Sequence, residues 1–127
     1  MILLDTHVLI WLAQEPGNIS TKAHAAIREA KGGLAISDIT MWEMALLAGR
    51  GRLNLNGTIE AFVEEICSRT AILPITPRIA ALAIQFPANY PKDPSDRLIG
   101  ATAISEGIEL ISADVGIQRT GLVRTIW

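Results

Sequence analysis

The sequence predicts an α/β fold, a three-layer α/β/α domain in which helices cover both faces of a parallel sheet of about four to five strands. Apolar runs of four to five residues alternate along the chain with segments of helical periodicity. Each run is apolar throughout, as in strands buried on both sides, and does not alternate with polar residues. No linker, repeat or low-complexity tract divides the chain, so residues 1–127 read as one domain.

Taken in order, Ile2 to Asp5 reads as a buried strand and Val8 to Ala13 as a short helix stopped by Pro16-Gly17. Ser20 or Thr21 caps a helix over Lys22 to Lys31, with Ala23, Ala26, Ile27 and Ala30 on one face and Gly32-Gly33 at its end. Leu34 to Ser37 is the second strand. Ser37 then caps a helix carrying Ile39, Trp42, Glu43, Leu46 and Leu47, which stops near Gly49 or Gly51. Thr58 opens a helix over Ile59 to Arg69, with Phe62, Val63 and Ile66 inward, and Ile72 to Ile75 is the third strand. Thr76-Pro77 joins an N-cap to a proline at the first helical position, which starts a helix running to about Phe86. Asp93-Pro94-Ser95-Asp96 repeats that signal and adds an acid at the third position, and its helix continues to Gly107. Ile108 to Ala113 is the fourth strand and Val123 to Ile126 the fifth.

Composition narrows the class. Half of the 127 residues are hydrophobic, enough for a substantial core at this size. A formal charge of −2 argues against a chain coated in basic charge, while leaving room for a local patch that binds nucleic acid. The one cysteine, Cys67, excludes an internal disulfide, fits a reducing cytosol and falls among helical apolar residues as an inert thiol. Met1 to Ala13 imitates the core of a signal peptide, but no basic residue precedes it and Asp5 and His7 interrupt it. With no stretch approaching the roughly 20 apolar residues of a membrane span, the expectation is a soluble, cytoplasmic protein.

Four acids stand where segments turn over. Asp5 closes the first strand, Glu43 lies in the early turns of the helix after the second, Asp96 begins the helix before the fourth and Asp114 comes just after the fourth. Ligands of parallel sheets bind beyond the carboxyl ends of the strands, and Asp5 and Asp114 lie at such ends. Each acid also has an ordinary explanation: Asp96 as a favourable charge at a helix start, Asp93 as an N-cap, Asp114 as a turn former. Asp5 and Glu43 are harder to explain that way, because a carboxylate at a buried edge is costly unless something offsets its charge. Spacing alone leaves both readings open. If the acids share a cation, oxygen ligands without paired His or Cys favour Mg²⁺, or Mn²⁺ in its place, over zinc.

The segments around these acids resemble a family. Leu3-Leu4-Asp5-Thr6-His7-Val8-Leu9-Ile10-Trp11 resembles the opening motif of PIN-domain nucleases, and Ser37-Asp38-Ile39-Thr40-Met41-Trp42-Glu43-Met44-Ala45 the second. Asp93-Pro94-Ser95-Asp96-Arg97-Leu98-Ile99-Gly100-Ala101-Thr102-Ala103 resembles the third, which is the most specific, and Leu110-Ile111-Ser112-Ala113-Asp114 the fourth. The matches run in order over nearly the whole chain and look most like the VapC toxins of bacterial toxin–antitoxin pairs. The resemblance implies that Asp5, Glu43, Asp96 and Asp114 form an acidic site for Mg²⁺ or Mn²⁺. It implies endonucleolytic RNA cleavage by a metal-activated water, leaving a 5′-phosphate and a 3′-hydroxyl. It also implies an antitoxin partner and a homodimer. Thr6 would orient a ligand or water, and Asp93 would serve mainly as an N-cap with an accessory role open.

The remaining candidates are weaker. Arg50 and Arg52 past the Glu43 helix, and Arg97 beside Asp96, are candidates for RNA phosphate contacts, with Lys92 and Arg119 as further cations. His7 is expected to point away from Asp5 in a structural role and His24 to be an ordinary helix residue; Trp11 and Trp42 are candidates for a dimer or antitoxin surface, with core packing the preferred reading for Trp42. The rival class is a flavodoxin-like Mg²⁺-dependent phosphotransfer or phosphatase domain. A receiver of that build wants an acid after its third strand, and Ile72-Leu73-Pro74-Ile75-Thr76-Pro77 has none; a phosphatase wants one two residues after Asp5, where His7 stands. A third class, a binding module that keeps only the fold, sits poorly with all four acids present.

Overall fold

The computed structural model describes every residue from Met1 to Trp127. Five strands form one sheet: β1 (Ile2–Leu4), β2 (Leu34–Ser37), β3 (Ala71–Leu73), β4 (Leu110–Ile111) and β5 (Thr125–Ile126). All neighbours are parallel, in the order β3-β2-β1-β4-β5. Leu3 of the central strand pairs with Ala35 on one side and Leu110 on the other. The strand order therefore reverses at β1, and Asp5 is the first residue beyond it.

Seven helices connect the strands: α1 (Thr6–Gln14), α2 (Thr21–Glu29), α3 (Asp38–Gly49), α4 (Ile59–Arg69), α5 (Pro77–Gln85), α6 (Pro94–Glu106) and α7 (Val115–Thr120). Alternation along β1 divides them into two layers. Ile2 and Leu4 enter a core with Val8 and Leu9 of α1, Ala23 of α2, Met44 of α3 and Ile66 of α4. Leu3 enters the opposite core with Ile99 and Ala103 of α6 and Ile117 of α7, while Ile79 and Ala83 of α5 pack on Ala101 of α6. Burying a side chain such as Leu3 is worth about 1.5–3 kcal/mol, so both faces hold the short central strand in place.

Every helix starts on a side-chain cap: Asp5, Ser20, Ser37, Thr58, Thr76, Asp93 and Asp114 each accept a hydrogen bond from an N–H of the first turn. Several boundaries differ from the sequence expectation: β3 starts and ends earlier than Ile72 to Ile75, β5 is shorter than Val123 to Ile126, and two further differences lie at the strand ends that carry the acids. β4 is shorter, because past Ser112 the backbone leaves the ladder and the N–H of Ala113 donates to His7 Nε2 at 3.3 Å. Asp114, expected as a turn former, opens α7, a six-residue helix too short to show periodicity. No helix is long and apolar enough to cross a membrane.

Between α1, α2 and α4 runs an open groove of about 580 Å³, lined by Leu9, Leu12, Ile27, Phe62 and Ile66 among others. It lies beside the helix barrels, away from the strand ends that carry the acids.

Candidate active site

Parallel strands end at one edge of the sheet, and four helices begin there. Asp5 caps α1 directly after β1, Ser37 ends β2 and caps α3, and Asp114 caps α7 just after β4. α6 joins them with Asp93 at its N-cap and Asp96 in its first turn. The positive ends of these helices partly offset the charge gathered there.

Each acid is held differently. Asp5 is only 2% exposed, yet its carboxylate accepts the N–H of Thr6 at 2.9 Å and the hydroxyl of Ser112 at 2.6 Å. Those two donors compensate its removal from water. The Ser112 hydroxyl also accepts the N–H of Asp114 at 3.1 Å, so one buried side chain ties the first acid to the fourth. Asp114 Oδ1 accepts the N–H of Ile117 at 3.1 Å. Glu43 is half-buried and held through both oxygens: Thr6 Oγ1 donates to Oε1 at 2.6 Å and Ser95 Oγ to Oε2 at 3.0 Å. Thr40 Oγ1 lies 3.0 Å from Thr6 Oγ1. A carboxylate only accepts, so the Thr6 proton points at Glu43 and the Thr40 hydroxyl donates to Thr6.

Asp96 is the exception, because no donor reaches its carboxylate and only its backbone carbonyl is engaged, by the Tyr90 hydroxyl at 3.1 Å. Burial, and then the negative charges of Asp5, Asp93, Asp114 and Glu43, push its pKa up to about 7. Tyr90, only 1% exposed, is raised above its ordinary value first by burial and then by Asp96, Asp5 and Asp114, with Arg97 opposing. Asp93 is exposed and caps α6 through the N–H of Ser95 at 3.1 Å, the N-cap role expected of it.

The acids converge without chelating: no three His, Cys, Asp or Glu side chains are drawn tightly enough together to hold an ion by themselves. Their chemistry nonetheless fits a small hard cation. All the donors are carboxylate or hydroxyl oxygens, and Mg²⁺ is commonly held by one or two carboxylates with water completing its shell.

Three expectations need correction. Arg97 is turned inward, away from any phosphate path. Its Nε donates to Pro91 O at 3.0 Å, Nη1 to Ala83 O and Phe86 O at 3.2 and 3.1 Å, and Nη2 to Pro87 O and Tyr90 O at 3.3 and 3.4 Å. All its donors are engaged by the carbonyls that end α5 and shape the loop beyond it. His7 does not point away from Asp5: its Nδ1 lies 3.7 Å from Asp5 Oδ2 while Nε2 takes the N–H of Ala113, so its role is structural but at the site. Trp42 is 59% exposed, because one helical step of about 100° from Glu43 carries it off the packed face. Arg50 and Arg52 are exposed past the end of α3, about 10 Å along its axis from Glu43 at 1.5 Å per residue. Ser112, Thr40, Ser95 and Tyr90 were not singled out from the sequence. Ser95 adjoins Asp96 and Ser112 lies two residues before Asp114, signals that could have found them; Tyr90 has none.

A parallel sheet reversing at β1, with acids clustered at its carboxyl edge, defines a class. Residues 2–122 match the model of the PIN domain, and the chain belongs to the PIN-domain family. More particularly, it is 38% identical to Ribonuclease VapC22 of Mycobacterium tuberculosis over 113 residues, 89% of this chain and 86% of that one. Solved structures share the fold. DNA-bound VapBC from Salmonella typhimurium superposes with a TM-score of 0.75 at 22% identity, covering 98% of this chain and 97% of that one. A toxin–antitoxin complex from Klebsiella pneumoniae gives 0.65 at 24% identity, covering 92% and 95%.

Proposed function

We propose that the chain is a Mg²⁺- or Mn²⁺-dependent endoribonuclease and the toxin of a toxin–antitoxin pair. The observation that carries this reading is the crowding at Asp96, a carboxyl pushed up to about 7 by burial and by four neighbouring acids at the sheet's ligand-binding edge. Kinship with Ribonuclease VapC22 supports RNA as the substrate.

In this reading Asp5 and Asp96 hold the cation, and Glu43 and Asp114 complete its surroundings directly or through water. A cation held there would supply the activation of water and the stabilisation of the charge that builds on a phosphodiester during in-line attack. Thr6 and Ser112 keep Glu43 and Asp5 aimed at that point, so little reorganisation is needed when substrate arrives. Without the cation the same acids repel a phosphodiester, and cleavage depends strictly on it.

The test is RNA cleavage by Asp5→Asn and Asp96→Asn proteins in Mg²⁺ and in chelator. Asparagine keeps the cap at position 5 and removes the charge. Both variants should lose nearly all cleavage while remaining folded. Wild-type rates from either one would sink the reading.

The apolar groove between α1, α2 and α4 suits the hydrophobic face of an antitoxin helix. A homodimer belongs to the same reading, with exposed apolar side chains such as Trp42 and Ile84, 59% and 84% exposed, as what a second copy would cover. Light scattering on the purified chain measures that directly, and a monomer at working concentration would exclude it.

A further inference from the structure

We propose that Ser95 is a positioning residue of the acidic site, acting through Glu43 to set where Asp96 stands relative to Asp5. The inference rests on the cation-binding reading above and adds a residue that the four acids do not include.

The geometry is specific. Ser95 occupies the second position of α6, between the N-cap Asp93 and Asp96. Its hydroxyl carries one proton and has two acceptors within reach, Glu43 Oε2 at 3.0 Å and Asp93 Oδ1 at 3.4 Å. The shorter bond crosses between helices, from the first turn of α6 to α3. The other oxygen of Glu43 is already fixed by Thr6 of α1, which is backed by the buried Thr40 one turn earlier on α3. Glu43 therefore ties the starts of α1 and α6 to α3, and Ser95 is its only link to α6 among these hydroxyls.

Asp96 needs such a brace. No hydrogen bond reaches its own carboxylate, and Asp5, Asp93, Asp114 and Glu43 all repel it. Left to that repulsion, the first turn of α6 would relax outward and lengthen the gap a cation must bridge. Ser95 opposes this by joining the turn to one of the repelling acids. It directs its proton to Glu43, which also lowers the negative charge that Glu43 presents. The position of Asp96 is thus set partly by the residue next to it, through a carboxylate on a different helix.

Ser95→Ala removes the hydroxyl with no added bulk, and Ser95→Thr keeps it. Calorimetric titration with Mn²⁺ alone should show affinity about tenfold weaker for Ser95→Ala, within the usual effect of losing a partner that orients a ligand, and near-normal affinity for Ser95→Thr. On RNA, kcat should fall by about the same factor with KM unchanged, because no phosphate contact is lost. In a Glu43→Ala background, Ser95→Ala should change Mn²⁺ affinity no further. Wild-type affinity in Ser95→Ala, or a full further loss in the Glu43→Ala background, would overturn the proposal. If Ser95→Ala does not fold, failure of Ser95→Thr to bind Mn²⁺ normally overturns it instead. Asp5→Asn, run alongside, separates the two readings. If it loses Mn²⁺ while Ser95→Ala does not, the ribonuclease reading stands and the Ser95 role falls. If the unaltered protein binds no Mn²⁺, both fall.

Discussion

Replacing Asp96 with asparagine should make the protein more stable above neutral pH and leave it unchanged in acid. The carboxyl's pKa is about 7 in the folded chain against 3.8 in a free one, because burial and four acids oppose its charge. Between those values the folded protein holds a proton that the unfolded chain has released, so stability falls as pH rises through the window and is level above it. Three units correspond to about 4 kcal/mol at about 1.36 kcal/mol per unit. Asp96 is only half-buried, and solvent screening brings the expected cost down to about 1–2 kcal/mol. Asp96→Asn removes that cost. Urea unfolding in chelator should therefore show the variant ahead by about 1–2 kcal/mol near pH 8 and level near pH 4. Adding Mn²⁺ should invert the order at pH 8, since only the native carboxylate gains from the ion. Equal stability of the two proteins at pH 8 in chelator, or a gain of the same size near pH 4, would refute the reasoning.

Three further outcomes rest on particular contacts. Arg97→Lys loses the planar fork that satisfies carbonyls of residues 83, 86, 87, 90 and 91, and should lower unfolding stability by about 2–3 kcal/mol in urea denaturation. A Cβ at Gly100 would meet Tyr90 Oη at 2.2 Å and Cζ at 2.9 Å, so Gly100→Ala should cost about 2–3 kcal/mol by thermal unfolding and displace Tyr90 from Asp96, whereas a cost below about 0.5 kcal/mol would contradict that packing. On the proposed toxin reading, Leu12→Lys places a charge in the apolar groove and should weaken antitoxin capture at least about tenfold while RNA cleavage continues at its normal rate.

What could be read from the sequence tracks how local its cause is. Thr76-Pro77 and Asp93-Pro94 named their helix starts because cap and proline act within one turn. Leu34–Ser37 emerged with the expected limits because both its faces are buried and Ser37 caps the start of α3. The fourth and fifth strands came out shorter, since their pairing ends where partners end, and no residue within them encodes that. The four acids were legible as motif residues. Of the hydroxyls that hold them, Thr6 was named beside Asp5, but Ser112 and Ser95 were not, because Ser112 is 107 residues from Asp5 and Ser95 is 52 from Glu43. Arg97 was misread for a similar reason: its charge suggested phosphate, but its partners are carbonyls supplied by a loop whose path the sequence does not show. Trp42 was placed inside from its neighbours on the helix, but the step of about 100° from Glu43 turns it to solvent.

The acids at this edge do not all hold their identity for the same reason. Asp5 and Asp114 cap α1 and α7, so a descendant that had lost every trace of catalysis would still be under pressure to keep a capping side chain at both positions. Glu43 and Asp96 cap nothing, and Asp96 carries its charge against the interest of the fold. On the ribonuclease reading proposed above, the acids at positions 43 and 96 are therefore the ones whose disappearance would mark an inactive copy. Their persistence would be the better witness of a working enzyme.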